Sequence, residues 1–249
     1  MSQAPRPFRS AHRYAIYLAP AEPFRSFGAQ WLGRDADTCA ALPLPQGITQ
    51  RPEEWVKAPA HYALHATLKP PFRLAEGTDA AMLDGAMRAF AAARQPFDAP
   101  LTLRALRGFL AWCLDDADGQ GGRRMHGLAD ACVTEFDRFR APPTEAEIAR
   151  RDPARLSPAQ RRHLDAWGYP YVFDTFTFHI TLTGMLDAAD EAAAFDMLSA
   201  AGGRLLEQPL HVDGVSVYVQ PEAGADFVAA RHYRFDGTTL DGAGAAWLG

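Results

Sequence analysis

His65-Ala66-Thr67-Leu68 and His179-Ile180-Thr181-Leu182 repeat one pattern, His-x-Thr-Leu with an apolar x, 114 residues apart. Imidazole exchanges a proton near neutrality, with a reference pKa of about 6.5, so two histidines can supply one base and one acid. Threonine hydroxyls donate hydrogen bonds to anionic oxygens. Two such motifs facing each other could hold a phosphodiester by its non-bridging oxygens through Thr67 and Thr181. One of His65 and His179 would deprotonate water or a hydroxyl while the other protonates the leaving oxygen. Such assistance is worth about 10²–10⁴-fold in rate per group. This chemistry needs no metal and no cofactor, and none is expected.

Strands alternate faces at every residue. From Thr175 to Thr183 the even positions are apolar (Phe176, Phe178, Ile180, Leu182) and the odd ones polar, so His179 and Thr181 share a face. The first copy has the same phase. Tyr62, Leu64, Ala66 and Leu68 fall on one side, and His61, His65, Thr67 and Lys69 on the other. Lys69 would then add charge where the phosphorane becomes more negative. His61 and His65 gain no Asp, Glu or Cys at ligand spacing, so no metal site is read there. His126, His163, His211 and His232 read as surface or hydrogen-bonded structural residues, and Trp31, Trp112 and Trp167 as core.

The elements that must position these residues follow from pattern. Arg13–Leu18 reads as a strand after a loose tail over residues 1–12, and residues 24–60 as loops with a short helix around Phe27–Trp31. Tyr62–Lys69 reads as a strand stopped by Pro70-Pro71. The Ala-rich stretches Asp79–Arg94 and Asp187–Ala201 read as helices, the first with Met82, Leu83, Ala86, Met87 and Phe90 at helical spacing. Leu101–Leu114 has strand character with a break at Gly108. The glycine-rich run 115–124 reads as a turn and the lobe boundary. Leu128–Phe139 is helical. Thr144–Glu147 and Ser157–Gln160 are capping boxes, the second with Pro158 at the first helical position and Gly168 as the stop. This 142–168 stretch has no counterpart in the first half and reads as a helical insertion. Phe176–Thr183, His211–Gln220 and Phe227–Phe235 complete the strands, followed by a tail of small residues. The order strand, His-x-Thr strand, Ala-rich helix, strand recurs in both halves, a weak internal repeat.

The 249 residues, 48% hydrophobic, suffice for one large domain or two closely packed lobes. A net charge of −5 without a Lys/Arg block disfavours an extended nucleic acid, whose binding needs a basic track. A small anionic substrate remains open. The polar stretch Met1–Arg13 lacks the apolar core of a secretory signal, and no run is long and apolar enough to span a membrane. Cys39, Cys113 and Cys132 read as reduced structural thiols of a cytoplasmic protein. There is neither a phosphate-cradling Gly loop nor a Gly-x-Ser-x-Gly elbow.

The paired motifs resemble those of the two-histidine phosphoesterase superfamily, whose members include RNA ligase-like proteins and cyclic phosphodiesterases. More closely, the chain resembles the branch found with bacterial phosphonate-utilisation operons. The resemblance is carried by Arg13–Tyr17, Trp31–Asp35, His65–Phe72, Asp137–Pro142, Trp167–Tyr171 and Phe178–Gly184. It implies an α+β, bilobal fold: two pseudo-symmetric lobes of antiparallel sheet plus helices around a central cleft, lobe one about 13–114 and lobe two about 128–236. It implies that His65 and His179 are the catalytic pair, that Thr67 and Thr181 hold the phosphate, and that Tyr17, Lys69, Arg140 and Tyr171 contact substrate. The chain departs from the pattern ahead of the first motif, where His61 and Ala63 stand in place of a basic residue and a glycine.

The function expected is metal-independent opening of a small sugar or nucleotide cyclic phosphate. The phosphonate-operon resemblance points to a ribose cyclic phosphate formed during carbon–phosphorus bond cleavage. The rival readings are an enzyme opening 2′,3′-cyclic RNA ends, a non-catalytic phosphate-ligand accessory protein, and a metallohydrolase. The pseudo-symmetry leaves open which histidine is the base.

Overall fold

A computed structural model describes residues 10–249. Of the tail read over residues 1–12, residues 1–9 lie outside that range, and Ala11 is buried with its N–H donating to Tyr14 Oη at 3.0 Å. The elements are β1 (Arg13–Leu18), α1 (Phe24–Leu32), α2 (Glu54–Tyr62), β2 (Ala66–Phe72), α3 (Ala80–Ala92), β3 (Phe97–Ala99), β4 (Leu101–Leu106), β5 (Phe109–Leu114), α4 (Gln120–Glu135), α5 (Glu145–Ala149), α6 (Pro158–Trp167), β6 (His179–Thr181), α7 (Ala188–Gly202), β7 (Leu210–Val212), β8 (Gly214–Gln220), β9 (Val228–Arg234) and β10 (Thr239–Asp241). This is an α+β architecture. Eight strands form one antiparallel sheet in the order β10-β9-β8-β1-β2-β6-β5-β4, and β3 pairs with β7 in a second, two-stranded sheet.

The strand order exposes the repeat. β1 to β4 and β5 to β8 each run strand, motif strand, short strand, strand, and each half's last strand pairs with the first strand of the other half: β4 with β5, β8 with β1. The strands therefore do not separate into 13–114 and 128–236. The division between the repeats falls at the tight Arg107-Gly108 turn, where both residues have positive φ.

Alternation sends one strand face into the main core. Tyr14, Ile16 and Leu18 of β1, Leu110, Trp112 and Leu114 of β5, and Val215, Val217 and Val219 of β8 are all buried there. Helices α3, α4 and α7 pack against β9, β2 and β5. The opposite face carries Arg13, Tyr17, His65, Thr67, His179 and Thr181. The capping boxes at Thr144 and Ser157 form as read, and Gly168 ends α6 in the left-handed region.

Four readings are corrected. Residues 54–62 are helical, and the motif strand begins at Ala66 and runs on through Pro70-Pro71. Strand β6 is three residues, and 173–175 form a 3-10 turn. The C-terminal residues pack rather than trail: β10 pairs with β9, Leu248 is buried, and Tyr14 Oη donates to Trp247 O. Finally, α4 starts within the glycine-rich run. A Cβ on Gly121 would stand 2.3 Å from the Asp98 carbonyl oxygen, so this glycine permits the helix to approach β3 rather than marking a turn.

Gly121→Ala is therefore expected to cost about 1–3 kcal/mol through overpacking. Gly127→Ala on the same helix, with open space around its Cβ, is expected to stabilise by about 0.5–1 kcal/mol. Urea unfolding of the two variants checks this. Equal effects would contradict the close approach of α4 to β3.

Candidate active site

The site begins with one strand pairing. β2 and β6 are antiparallel with Ala66 opposite Ile180, and both side chains are buried in the core. Counting outward from that pair sets His65 across from Thr181 and Thr67 across from His179, all on the opposite face. Diagonal neighbours on such a ladder lie about 7–8 Å apart. The two histidines occupy one diagonal and the two threonines the other. On β5 the partners of Thr181 and His179 are the small residues Ala111 and Cys113, which leave this face unobstructed.

Each imidazole is oriented by the backbone two residues earlier. His65 Nδ1 lies 2.9 Å from Ala63 O, and His179 Nδ1 lies 2.8 Å from Thr177 O. A carbonyl only accepts, so each Nδ1 carries the proton and each Nε2 presents a lone pair. His65 Nε2 accepts from Thr67 Oγ1 at 3.1 Å. Ala63 takes φ 60° and ψ 178°, a conformation nearly reserved to glycine.

The pseudo-symmetry breaks at one position. Tyr17 pairs with Thr67 on β1, and its ring stacks on His65 with centroids 3.7 Å apart. The corresponding partner of Thr181 is Ala111, so His179 has no such backing and meets Phe109 at 5.7 Å instead. Burial pushes the His65 imidazole down to about 4, opposed by the Ala63 carbonyl and reinforced by His179. Burial also lowers His179, opposed by the Thr177 carbonyl and reinforced by Arg107.

Two adjoining cavities meet at the quartet and share Thr67, Pro70 and Tyr169. One of about 360 Å³ holds His65, Thr181, Tyr17 and Arg140. The other, of about 200 Å³, holds His179 and is walled by Phe109, Tyr169, Tyr171, Phe173 and Phe176. Of the substrate contacts read from sequence, Tyr17, Arg140 and Tyr171 thus line the cleft. Tyr17 is nearly inaccessible and acts on His65, and Arg140 is held by both carboxylate oxygens of Asp137.

Lys69 does not reach the cleft. Tyr17 pairs with Thr67 but Ile16 with Lys69, so β2 carries a bulge at Leu68. The extra residue reverses the alternation and turns Lys69 inward, where Nζ bonds Val133 O and Asp137 Oδ1, each at 3.1 Å. His61, at the end of α2, pairs with Asp226 at 2.8 Å. Three of the four histidines read as structural take carboxylate partners too, His163 with Asp174, His211 with Asp98 and His232 with Asp37, while His126 meets the Phe176 ring. Among the described residues no three His, Cys, Asp or Glu side chains cluster as a metal site. No helix there is long and apolar enough to cross a membrane. Sequence reasoning missed the cavity residues Arg13, Arg73, Arg107, Arg150 and Arg151. Only Arg13 had a signal, being in phase with Tyr17 along β1.

A family described as a protein of unknown function, DUF1045, matches residues 67–228. The chain belongs to the DUF1045 family. The match takes in Thr67, His179, Thr181 and the helical insertion, and it starts two residues after His65. The chain is also 38% identical over 221 residues to a protein of Laribacter hongkongensis (strain HLHK9) named ribose 1,5-bisphosphate phosphokinase PhnN, covering 88% of this chain and 51% of that protein. It is 36% identical over 239 residues to a protein of the same name from Janthinobacterium sp. (strain Marseille), covering 92% of this chain and 52% of that protein. The chain thus spans about half the length of the curated relatives it matches.

The stacked Tyr17 ring is what separates the two histidines of this DUF1045 chain. Nitrogen-detected NMR at pH 6 should show His65 neutral with its proton on Nδ1. Tyr17→Ala should raise the pKa of His65 by admitting water. A protonated His65 at pH 6 in the wild type would contradict the burial argument.

Proposed function

We propose that the chain is a metal-independent cyclic phosphodiesterase that opens a small sugar or nucleotide cyclic phosphate, in phosphonate metabolism. The observation that carries this reading is the crossed quartet on β2 and β6, with the histidines on one diagonal and the threonines on the other. The phosphoryl group sits between the strands; Thr181 donates to one non-bridging oxygen, and Thr67 turns its single hydroxyl hydrogen from His65 Nε2 to the other, freeing that lone pair. His65, the more buried and less basic imidazole, takes a proton from water at Nε2 as that water attacks phosphorus. The ring P–O bond on the far side breaks. His179, protonated at Nε2 in the productive state, donates to the leaving oxygen. One water is added, a phosphomonoester and a free hydroxyl result, and the two histidines re-equilibrate their protons with solvent. The aromatic walls beside His179 suit the sugar face or base attached to the leaving oxygen.

The names of the two relatives support a setting in ribose phosphate chemistry, since a cyclic ribose phosphate opened by water gives a ribose phosphomonoester. The phosphonate setting rests on the resemblance of the motifs. The chain spans about half of each relative, so the phosphokinase activity in those names is not carried over to it. Phosphate-cradling loops of nucleotide-dependent kinases of the P-loop kind place a lysine after a glycine, and neither lysine here, Lys57 or Lys69, follows one.

Phosphorus NMR of small cyclic phosphodiesters with the purified protein, chelator present, tests the reading. Ring opening should survive the chelator and fall by more than about 10²-fold in both His65→Ala and His179→Ala. Near-wild-type turnover in either variant would exclude the mechanism, and loss of activity with chelator would favour a metallohydrolase.

The pH profile provides a second test. His65 works as base only when deprotonated, above about pH 4. His179 works as acid only when protonated, below a pKa itself lowered from 6.5. kcat/KM reports the free enzyme, so it should rise through about pH 4, peak on the acid side of neutrality and decline before pH 7. A maximum above neutrality would contradict the assignment of base and acid.

A further inference from the structure

The larger cavity carries more positive charge than a cyclic diester can use. Its walls hold Arg13, Arg73, Arg140, Arg150 and Arg151, and Glu147 is the single carboxylate among its described lining residues. This occurs in a protein of net charge −5. Arg13 and Arg73 share that Glu147, at 2.8 and 3.4 Å. Arg140 is neutralised by Asp137. Arg150 and Arg151, from the helical insertion, form no ion pair among the described residues, and the Arg151 guanidinium lies 4.7 Å from the centre of the Tyr169 ring. The Nε of Arg13 is buried without a hydrogen-bond partner. A diester phosphate has one negative charge, and in the productive state the quartet meets it with the His179 imidazolium and two hydroxyl groups. The arginines are left over for a second anion. His65 and Thr181 line the same cavity, so whatever neutralises the arginines lies alongside the group held by the quartet.

We propose that this cavity is a second phosphate subsite, and that the substrate bears a phosphomonoester in addition to its cyclic diester. Guanidinium groups converging from β1, the end of β2 and the insertion match a dianion with three terminal oxygens, which arginine recognises by paired donors. The insertion is then a specificity device, placing Arg150 and Arg151 over a cleft whose floor is the shared sheet. This proposal rests on the phosphodiesterase reading and names the class of substrate for it.

Adenosine 2′,3′-cyclic phosphate with and without a 5′-phosphate separates the two claims. The wild type should open the 5′-phosphorylated probe with a kcat/KM at least about tenfold higher, the gain expected of one charge-assisted hydrogen bond. In Arg150→Gln/Arg151→Gln the ratio between the probes should fall towards one, a comparison within one protein that is insensitive to partial misfolding. Equal opening of both probes by wild type would keep the phosphodiesterase and remove the second subsite, as would a preference that survives in the variant. If neither probe is opened, the phosphodiesterase reading fails, and calorimetric binding decides the subsite by itself. At least tenfold tighter binding of the phosphorylated probe, lost in the variant, would support it, and equal or absent binding of the two probes would overturn it.

Discussion

The site depends on the contact between β2 and β6, the junction at which the two motif strands meet in the middle of the sheet. Ala66 and Ile180 face each other with their side chains in the core, and everything chemical follows from the residues on either side. Because a strand alternates faces, burying those two apolar residues forces His65, Thr67, His179 and Thr181 to the other side. Because the pairing is antiparallel, each histidine comes to stand opposite a threonine. A shift of either strand by one residue would send its histidine and threonine into the core and its apolar residue into the cleft. The junction is short, but β2 is braced by β1 and α4, and β6 by β5, so the register is held by neighbours rather than by its own length.

The two half-sites are alike in backbone and unlike in surroundings. Both imidazoles donate Nδ1–H to a carbonyl two residues back, which fixes the reactive nitrogen as Nε2 in each. Tyr17 on one side and Ala111 on the other then make the environments diverge. Arg107 disfavours imidazolium at His179. An anion entering the quartet reverses that field, so in the proposed reaction the substrate itself helps to protonate the acid.

Much of this was legible in the chain. The alternation around each motif gave the polar face, and the capping boxes at Thr144 and Ser157 gave the insertion's helices, because both signals are local. What failed was non-local or turned on a single residue. The bulge at Leu68 reverses Lys69, and nothing in the local pattern of alternating residues announces it. Residues 54–62 form a helix that buries Trp55, Val56 and Pro59, although His61 and Tyr62 continue the strand-like alternation of the motif. The exchange of β4 and β8 between repeats depends on pairing across the whole chain, which a reading by halves cannot supply. The arginines of the cavity come from β1, the end of β2 and the insertion, so no single stretch of sequence displays the basic character that the fold assembles.

The central claim is that His65 and His179 act together on one phosphoryl group. The most direct test is a double-mutant comparison on one cyclic phosphodiester: kcat/KM for the wild type, His65→Ala, His179→Ala and the pair. Groups that serve a single concerted step are strongly non-additive, so the double variant should retain about the same residual rate as the worse single variant. Losses that multiply would show two independent contributions and contradict a shared acid–base pair.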